Sequence, residues 1–244
     1  MLKLVIAQPL ASSRAEYDYV LPLNEGDNDR LFVDAKPFAE LRPPSGSNND
    51  VPFIKATGQS TRIGYRQLLA GGSAFWGLSG GYDSLWQQGT YYQQLGAGLE
   101  FKKKDFEFIA TASIPFWQRE TSATNQIPLA ALTLQVSLPT RLKGLDFEPR
   151  IYTVGSPETG TVIGTQMQFT YAMSPSSSAT ISCNYDAIGG VSGSLTLQMI
   201  FPQASKQAAG KRIDPNLIGS FIGPIGNNGS RVIRLSNSVP AIGN

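Results

Sequence analysis

Two pairs of carboxylates lie two residues apart and have the spacing of an acid–base pair: Glu16 with Asp18, and Asp146 with Glu148. On a β-strand such residues share a face and lie about 7 Å apart, which suits a general acid and a general base. The same spacing is typical of charges that line a polar interior and pair with cations there. The candidate cations are Arg62, Arg66 and Arg150. We favour the second interpretation for both pairs.

The rest of the composition offers little to catalysis. The 244 residues include no His, which excludes a Ser-His-Asp triad, a His general base and a His-ligated zinc. The single cysteine, Cys183, excludes an internal disulfide and a Cys cluster. The Gly96-x-Gly98 pair precedes no predicted helix whose N-terminus could hold a phosphate. We therefore predict no catalytic residue, no metal, no cofactor and no enzymatic activity.

Charge and hydropathy narrow the class of protein further. Lys and Arg number 20 against 18 Asp and Glu, so the net charge of +2 does not indicate a nucleic-acid partner. Only 16% of the residues are charged, where about 25% is usual in a soluble domain. No apolar run approaches the 18 or so residues of a membrane-spanning helix. A soluble β-protein and a membrane β-barrel both remain.

Alternation with a period of two runs through most of the chain, and helical periodicity is nearly absent. Turn sequences rich in Gly, Asn, Pro and Ser separate the alternating segments. The pattern predicts eleven strands, over residues 17–23, 31–41, 61–69, 74–86, 91–102, 106–116, 128–138, 145–155, 161–173, 179–187 and 191–201. Two longer loops are predicted, at 42–58 and 117–127.

The faces of these strands differ in charge. From residue 61 to residue 201, the apolar face of each strand carries no charged residue, as a lipid-facing surface requires, since a charge near the bilayer midplane costs roughly 2–4 kcal/mol. The predicted lipid-facing residues include Leu95, Leu99, Phe108, Leu132, Leu134, Phe169 and Leu197. The predicted lumen-facing polar residues are Arg62, Arg66, Asp83, Gln94, Glu100, Glu107, Asp146, Glu148 and Arg150.

A secreted β-sandwich would explain the alternation equally well, with the apolar face turned to a core and carbohydrate bound by Trp76, Trp86 or Trp117. The length of the strands favours the barrel, because many exceed the nine residues needed to cross a membrane at about 45° tilt, whereas strands of soluble proteins average five or six. We therefore predict an all-β, antiparallel, up-and-down barrel in the bacterial outer membrane, with the lipid bilayer as its surroundings.

Closed bacterial barrels have an even number of strands, so a twelfth strand is needed. Residues 2–8 are the obvious candidate, although residues 1–15 also resemble the remnant of a secretory signal. The predicted organisation is an N-terminal segment over 1–16, a barrel over 17–202 and a linker or tail over 203–244.

Several motifs, in order, resemble the β-domain of inverse autotransporters, the intimin and invasin family. They are Tyr19-Val20-Leu21-Pro22-Leu23, Leu31-Phe32-Val33, Arg62-Ile63-Gly64-Tyr65-Arg66-Gln67, Trp76-Gly77, Tyr82-Asp83 and Leu95-Gly96-Ala97-Gly98-Leu99-Glu100. The resemblance covers about residues 17–201. One motif departs from it, since Ser79-Gly80-Gly81 stands where the family has Asn-Ala-Phe.

The resemblance implies a twelve-stranded outer-membrane pore whose C-terminal linker passes back through the barrel and displays an extracellular passenger, often an adhesin. Here the tail around Asn227–Leu235 is similar to that linker, but the sequence has no passenger domain after it. The implied function is a translocator or anchor for the C-terminal segment, with an unknown extracellular ligand; the alternative is a small passive pore. The last strand, which ends at Phe201, resembles the signal read by the barrel-assembly machinery, a second expected partner.

Overall fold

A computed structural model describes residues 2–7, 12–41, 54–87, 89–120, 126–156, 160–174, 177–187, 190–201 and 235–237. These residues form fifteen β-strands, and their only helical residues are a single 3-10 turn, Ala70–Gly72. The strands are β1 Leu2–Ala7, β2 Ser12–Tyr17, β3 Tyr19–Glu25, β4 Asp29–Leu41, β5 Ile54–Leu69, β6 Ala74–Gln87, β7 Thr90–Lys103, β8 Phe106–Glu120, β9 Gln126–Pro128, β10 Ala130–Pro139, β11 Leu145–Ser156, β12 Gly160–Ser174, β13 Ser177–Asp186, β14 Gly190–Phe201 and β15 Leu235–Asn237.

All of these strands except β9 and β15 belong to one antiparallel sheet, in which β4 to β8 and β10 to β14 pair with their neighbours in sequence. The strand β1 pairs with β14 on one side and with β2 on the other. The strand β2 pairs in turn with β4, from Ser13 opposite Leu41 to Glu16 opposite Phe38. The hydrogen-bonded pairings therefore run round a ring of twelve strands, the architecture predicted from the alternation.

The strand β3 extends the line of β2 after an interruption at Asp18. Both strands pair with β4, and the register passes from Glu16 opposite Phe38 to Tyr19 opposite Ala35. Residues 12–25 thus form one long segment of the wall, whereas the alternation alone predicted a strand over 17–23. The barrel also begins before residue 17, because β1 and β2 are both members of the ring.

The two ends of the ring differ. At one end the strands are joined by short connections, at 26–28, 70–73, 104–105, 140–144 and 175–176, and Leu2 there pairs with Phe201. At the other end the connections include the long segments 42–53 and 121–129. We call these the turn end and the loop end.

The largest difference from the predicted strands is in β5, which begins at Ile54 although 42–58 was predicted to be a loop. Gly58 explains how this polar stretch fits the wall. Its Cα pairs with Phe38 on one side and Leu85 on the other, and the Phe38 ring occupies the space that a side chain at 58 would need. A glycine there permits close approach of the ring, and the stretch pairs as a strand despite its loop-like composition.

Candidate functional site: the barrel lumen

Solvent exposure separates the two faces of the sheet. On the outer face, Leu95 is 55% exposed and Leu99 is 41% exposed. Exposed with them are Leu132, Leu134, Phe169 and Leu197, while Phe108 is partly exposed. On the inner face the residues buried to 7% exposure or less include Arg62, Arg66, Asp83, Gln94, Glu100 and Arg150. An apolar outer surface around a polar interior is the arrangement expected of a barrel surrounded by lipid.

The remaining predicted lumen residues lie on the same inner face but are less enclosed. Glu107 and Glu148 are partly exposed, and Asp146 is exposed close to the turn end. For Phe201 the structure describes the backbone, which ends β14 opposite Leu2, and not the side chain. Cys183 is a free cysteine exposed on the outer face.

The first buried ion-pair cluster joins three strands. Arg62 on β5 donates from Nη2 to Oδ2 of Asp83 on β6, at 2.9 Å. Gln94 on β7 donates from Nε2 to the same carboxylate oxygen, at 3.0 Å. Asp83 and Gln94 lie directly opposite each other in the register. The buried carboxylate is thus stabilised by a cation and an amide together.

A second cluster, four residues further along β5, is built round Arg66. Its guanidinium binds Glu100 on β7 through two hydrogen bonds, Nε to Oε1 at 2.5 Å and Nη2 to Oε2 at 3.1 Å. The Arg66 Cζ also lies 4.7 Å from the ring centroid of Phe32 and 5.5 Å from that of Phe75. A bidentate carboxylate together with two aromatic faces fixes the plane of the guanidinium.

Lys36 on β4 forms the third cluster, with Nζ 2.8 Å from Oδ1 of Asp18 and 3.3 Å from Oε1 of Glu16. These are the carboxylates of the first acid–base candidate, and they are held in ion pairs. Their partner is a lysine rather than one of the predicted arginines. The pairing of β2 with β4 brings Lys36 to them, and no local sequence signal reports that pairing.

Three glycines of the inner face make room for the two arginines. A Cβ at Gly96 would lie 2.5 Å from Nη2 of Arg62, and one at Gly77 would lie 2.5 Å from Oε1 of Glu100. Gly81 is equally close to the stem of Arg62. The glycine-rich inner face therefore lets long charged side chains lie along the wall. We call the lumen-facing side chains of β2 to β7 the ionic wall.

The opposite side of the lumen, formed by β10 to β13, carries a network with fewer charges. Arg150 donates from Nε, at 3.1 Å, and from Nη2 to Oε1 of Gln135. Gln135 donates from Nε2 to Oε2 of Glu148 at 3.0 Å, and Gln168 donates to the same oxygen at 2.9 Å. The hydroxyls of Thr170 and Thr180 continue the network towards the turn end. We call these lumen-facing side chains the polar wall.

Aromatic pairs on the outer face lie towards both ends of the strands. Near the loop end Tyr91 packs edge-on against Trp117, with ring centroids 5.9 Å apart. Near the turn end Tyr65 packs edge-on against Trp76 at 5.8 Å. Trp76 and Trp86 are ten residues apart on β6, which corresponds to about 25 Å along the barrel axis at the usual strand tilt. That distance matches the apolar band of outer-membrane barrels, whose borders carry aromatic residues.

The C-terminal segment contributes one short strand. In β15, Leu235 pairs with Pro128, Ser236 with Ile127 and Asn237 with Gln126 of β9. Only Leu129 separates β9 from β10, which starts at the loop end. The chain therefore ends β14 at the turn end and forms β15 at the loop end. The rest of the predicted linker and tail lies outside the described residues.

Within the described ranges, no helix is long and apolar enough to cross a membrane. Among the same residues, no group of three or more Cys, Asp or Glu is arranged to hold a metal ion.

Comparison with solved structures finds similar architecture over most of the chain. A structure solved in a study of the in-meso crystallization of membrane proteins aligns with a TM-score of 0.70 and 11% identity, over 96% of this chain and 97% of that one. The KdgM porin aligns with a TM-score of 0.56 and 8% identity, over 82% of this chain and 99% of the porin. Outer membrane phospholipase A from Escherichia coli aligns with a TM-score of 0.53 and 10% identity, over 81% and 88%.

The fold is that of a bacterial outer-membrane β-barrel. It agrees with the predicted architecture and with the predicted outer-membrane location. The comparison supports an outer-membrane β-barrel in general and does not single out the inverse autotransporters: two of these structures are a porin and a phospholipase. No family model matches the sequence, and no curated protein matches it.

Proposed function

We propose that this barrel passes its own C-terminal segment through its lumen and holds that segment at the loop end, as a translocator and anchor. The observation that carries the proposal is the position of two strands. Phe201, the last residue of β14, pairs with Leu2 at the turn end, whereas Leu235–Asn237 pairs with β9 at the loop end. The intervening 33 residues have to connect opposite ends of the barrel.

Chain length permits a route through the lumen, and charge favours it. An extended chain of 33 residues spans about 110 Å, and the longest strands reach roughly 40 Å along the barrel axis. Residues 203–244 carry five cations, Lys206, Lys211, Arg212, Arg231 and Arg234, against Asp214 alone. Along the outer face each cation would cost roughly 2–4 kcal/mol near the bilayer midplane. The lumen instead offers carboxylates, and the remainder of the chain has a net charge of −2, opposite to the +4 of the tail.

In this proposal the barrel catalyses no covalent reaction. Its surroundings are the outer-membrane lipids, and the barrel-assembly machinery inserts it. The displayed segment would meet any extracellular ligand.

The decisive experiment asks whether the tail reaches the cell surface. Cys183→Ser removes the native thiol, and Ser236→Cys places a thiol on β15. The longer loops of outer-membrane barrels face the cell exterior. Because β15 lies at the loop end, a membrane-impermeant thiol reagent applied to intact cells should label this variant. Ala187→Cys, at the loop end, provides the positive control, and Asp105→Cys, in a connection at the turn end, provides the protected control. Labelling of Ser236→Cys only after lysis would contradict translocation.

A passive pore is the second candidate. Its support is that lumen-facing side chains of the polar wall, such as Gln166 and Asn184, stay partly exposed within the barrel. The KdgM porin shares the fold. The two functions differ in whether the tail occupies the lumen, and a surface-inaccessible Ser236→Cys would favour the pore.

A further inference from the structure

The two walls of the lumen differ in their accessibility to water. On the ionic wall, Ser60, Arg66, Asp83 and Gln94 are each 1% exposed. On the polar wall, a set of lumen-facing side chains remains partly exposed: Glu148, Gln166, Gln168, Thr170, Thr180 and Asn184. We call this set the accessible strip. It extends from the middle of β12 and β13 towards the turn end, although Ser182 within it is buried. In the middle of β6 and β7, partial exposure on the ionic wall is confined to small residues, Ser79, Gly81, Gly96 and Gly98. The longer polar side chains that can contact water in the lumen are therefore concentrated on one side of the barrel.

The two walls also differ in how their charged side chains are paired. Each buried cation of the ionic wall lies within 4 Å of a carboxylate: Arg30 of Glu25, Lys36 of Glu16 and Asp18, Arg62 of Asp83, and Arg66 of Glu100. The three arginine–carboxylate pairs are closely spaced dipoles whose fields largely cancel at a distance, whereas Lys36, with two carboxylates, leaves one buried negative charge.

Glu148 lies on the accessible strip in surroundings where carboxylates outnumber cations: it interacts electrostatically with Glu107 and Asp146 and with a single cation, Arg150. Its carboxylate accepts hydrogen bonds from the amides of Gln135 and Gln168, and no cationic group of the described chain lies within 4 Å of it. The nearest arginine in the register, Arg150, is buried and donates to Gln135 instead. Two uncharged amides fix the carboxylate in place and leave its negative charge facing the lumen.

We infer that the water-filled route through this barrel follows the accessible strip and that Glu148 makes the route prefer cations to anions. The groups it would accept are small cations, and the ammonium and guanidinium groups of a chain in transit. A fixed carboxylate on a narrow route attracts cations and repels anions, as acidic side chains do in cation channels. The inference rests on the proposed function as a barrel with a lumen, but not on passage of the tail.

The route is tested by thiol accessibility in the full-length protein folded in liposomes. In the Cys183→Ser background, Gln166→Cys places a thiol on the accessible strip and Ser60→Cys places one on the ionic wall. Each is the seventh residue of its strand from the loop end, so their depths match. A trimethylammonium-ethyl methanethiosulfonate should modify Gln166→Cys at least about tenfold faster, because access limits thiol reactivity.

Equal rates, or faster modification of Ser60→Cys, would overturn the assigned route. A heat-modifiability gel on both variants establishes that each is folded, so that exposure by unfolding is not mistaken for access. The result is independent of the Ser236→Cys labelling. Surface labelling with an unreactive Gln166→Cys would leave translocation standing and refute the route, and the reverse pattern would refute translocation alone.

The preference for cations is tested at Thr170→Cys, which is close in size to the native side chain and lies next to Gln168 on the strip. The rate ratio of the cationic reagent to its sulfonate-bearing counterpart should exceed one. Glu148→Gln, which keeps the shape of the side chain, should lower the ratio by about fivefold, the change expected for loss of one charge several ångströms away in water. Glu25→Gln, at the edge of the opposite wall, should leave the ratio unchanged. A ratio that Glu148→Gln does not change would refute the role of Glu148.

Discussion

Neighbouring residues of β12 face lipid and the hydrated lumen in turn, and substitution by arginine distinguishes the two faces. Met167 is 58% exposed on the outer face, while Gln166 is partly exposed in the lumen and lies opposite Arg150 and Asn184. Met167→Arg should reduce the free energy of folding into a bilayer by about 2–4 kcal/mol, because both residues lie near the middle of the strand. Gln166→Arg should cost much less, since its guanidinium stays in the hydrated lumen. The folded fraction of each variant in liposomes, followed through a urea titration, measures the difference, and equal losses would contradict the assignment of the faces.

For individual lumen residues, the sequence predicts the face of the sheet but not the partner. The face of each charged residue follows from alternation alone, so Arg62, Asp83 and Glu100 could be placed in the interior without a structure. Their partners could not, because a partner is set by the register between strands. Arg62 lies opposite Gly81 in the register and still reaches Asp83, two residues along β6. The glycines that give it room become meaningful only once that register is known.

Among the elements, the closing strand has the clearest consequence for assembly. The strand β14 ends in Leu195-Thr196-Leu197-Gln198-Met199-Ile200-Phe201, and Phe201 pairs with Leu2. If its terminal aromatic is the feature that the assembly machinery reads, Phe201→Ser should lower the amount of folded barrel in the outer membrane severalfold. Membrane fractionation with heat-modifiability gels quantifies this, and Val191→Ser, at the other end of the same strand, provides the control. Wild-type levels in Phe201→Ser would show that the signal lies elsewhere.

Strand positions were predictable where each face of a strand is chemically uniform, as in β6, β11 and β12. The strand β8, by contrast, runs to Glu120, into residues that were predicted to be a loop. Prediction failed where the outer face loses its apolar character. The first part of β5, Ile54–Ser60, has the polar composition of a loop. Its fit in the wall depends on the close approach of Phe38 to Gly58, which the sequence alone does not show. The pairing of β15 with β9 was also invisible, since three residues bonded to a segment more than a hundred positions away leave no local pattern.

For the whole molecule, the tail and the lumen should be coupled. If residues 203–244 occupy the lumen, their deletion should raise single-channel conductance in planar bilayers, because a polypeptide no longer excludes ions from the pore. Glu148→Gln in the deleted form should then reduce the preference for potassium over chloride, read from the reversal potential in a salt gradient. Unchanged conductance after deletion would mean that the tail does not fill the pore.

The short first strand makes one side of the ring different from the others. Strand β1 has six residues, and its register with β14 joins Leu2 to Phe201, Lys3 to Ile200 and Ile6 to Leu197. By contrast, β11 and β12 pair without interruption from Leu145 opposite Tyr171 to Ser156 opposite Gly160. Fewer backbone hydrogen bonds along a junction mean a lower free energy of local opening there. In hydrogen–deuterium exchange, amides of β1 and of the last residues of β14 should therefore exchange well before those at the centre of β12. We therefore expect the barrel wall to open laterally towards the bilayer first between β1 and β14.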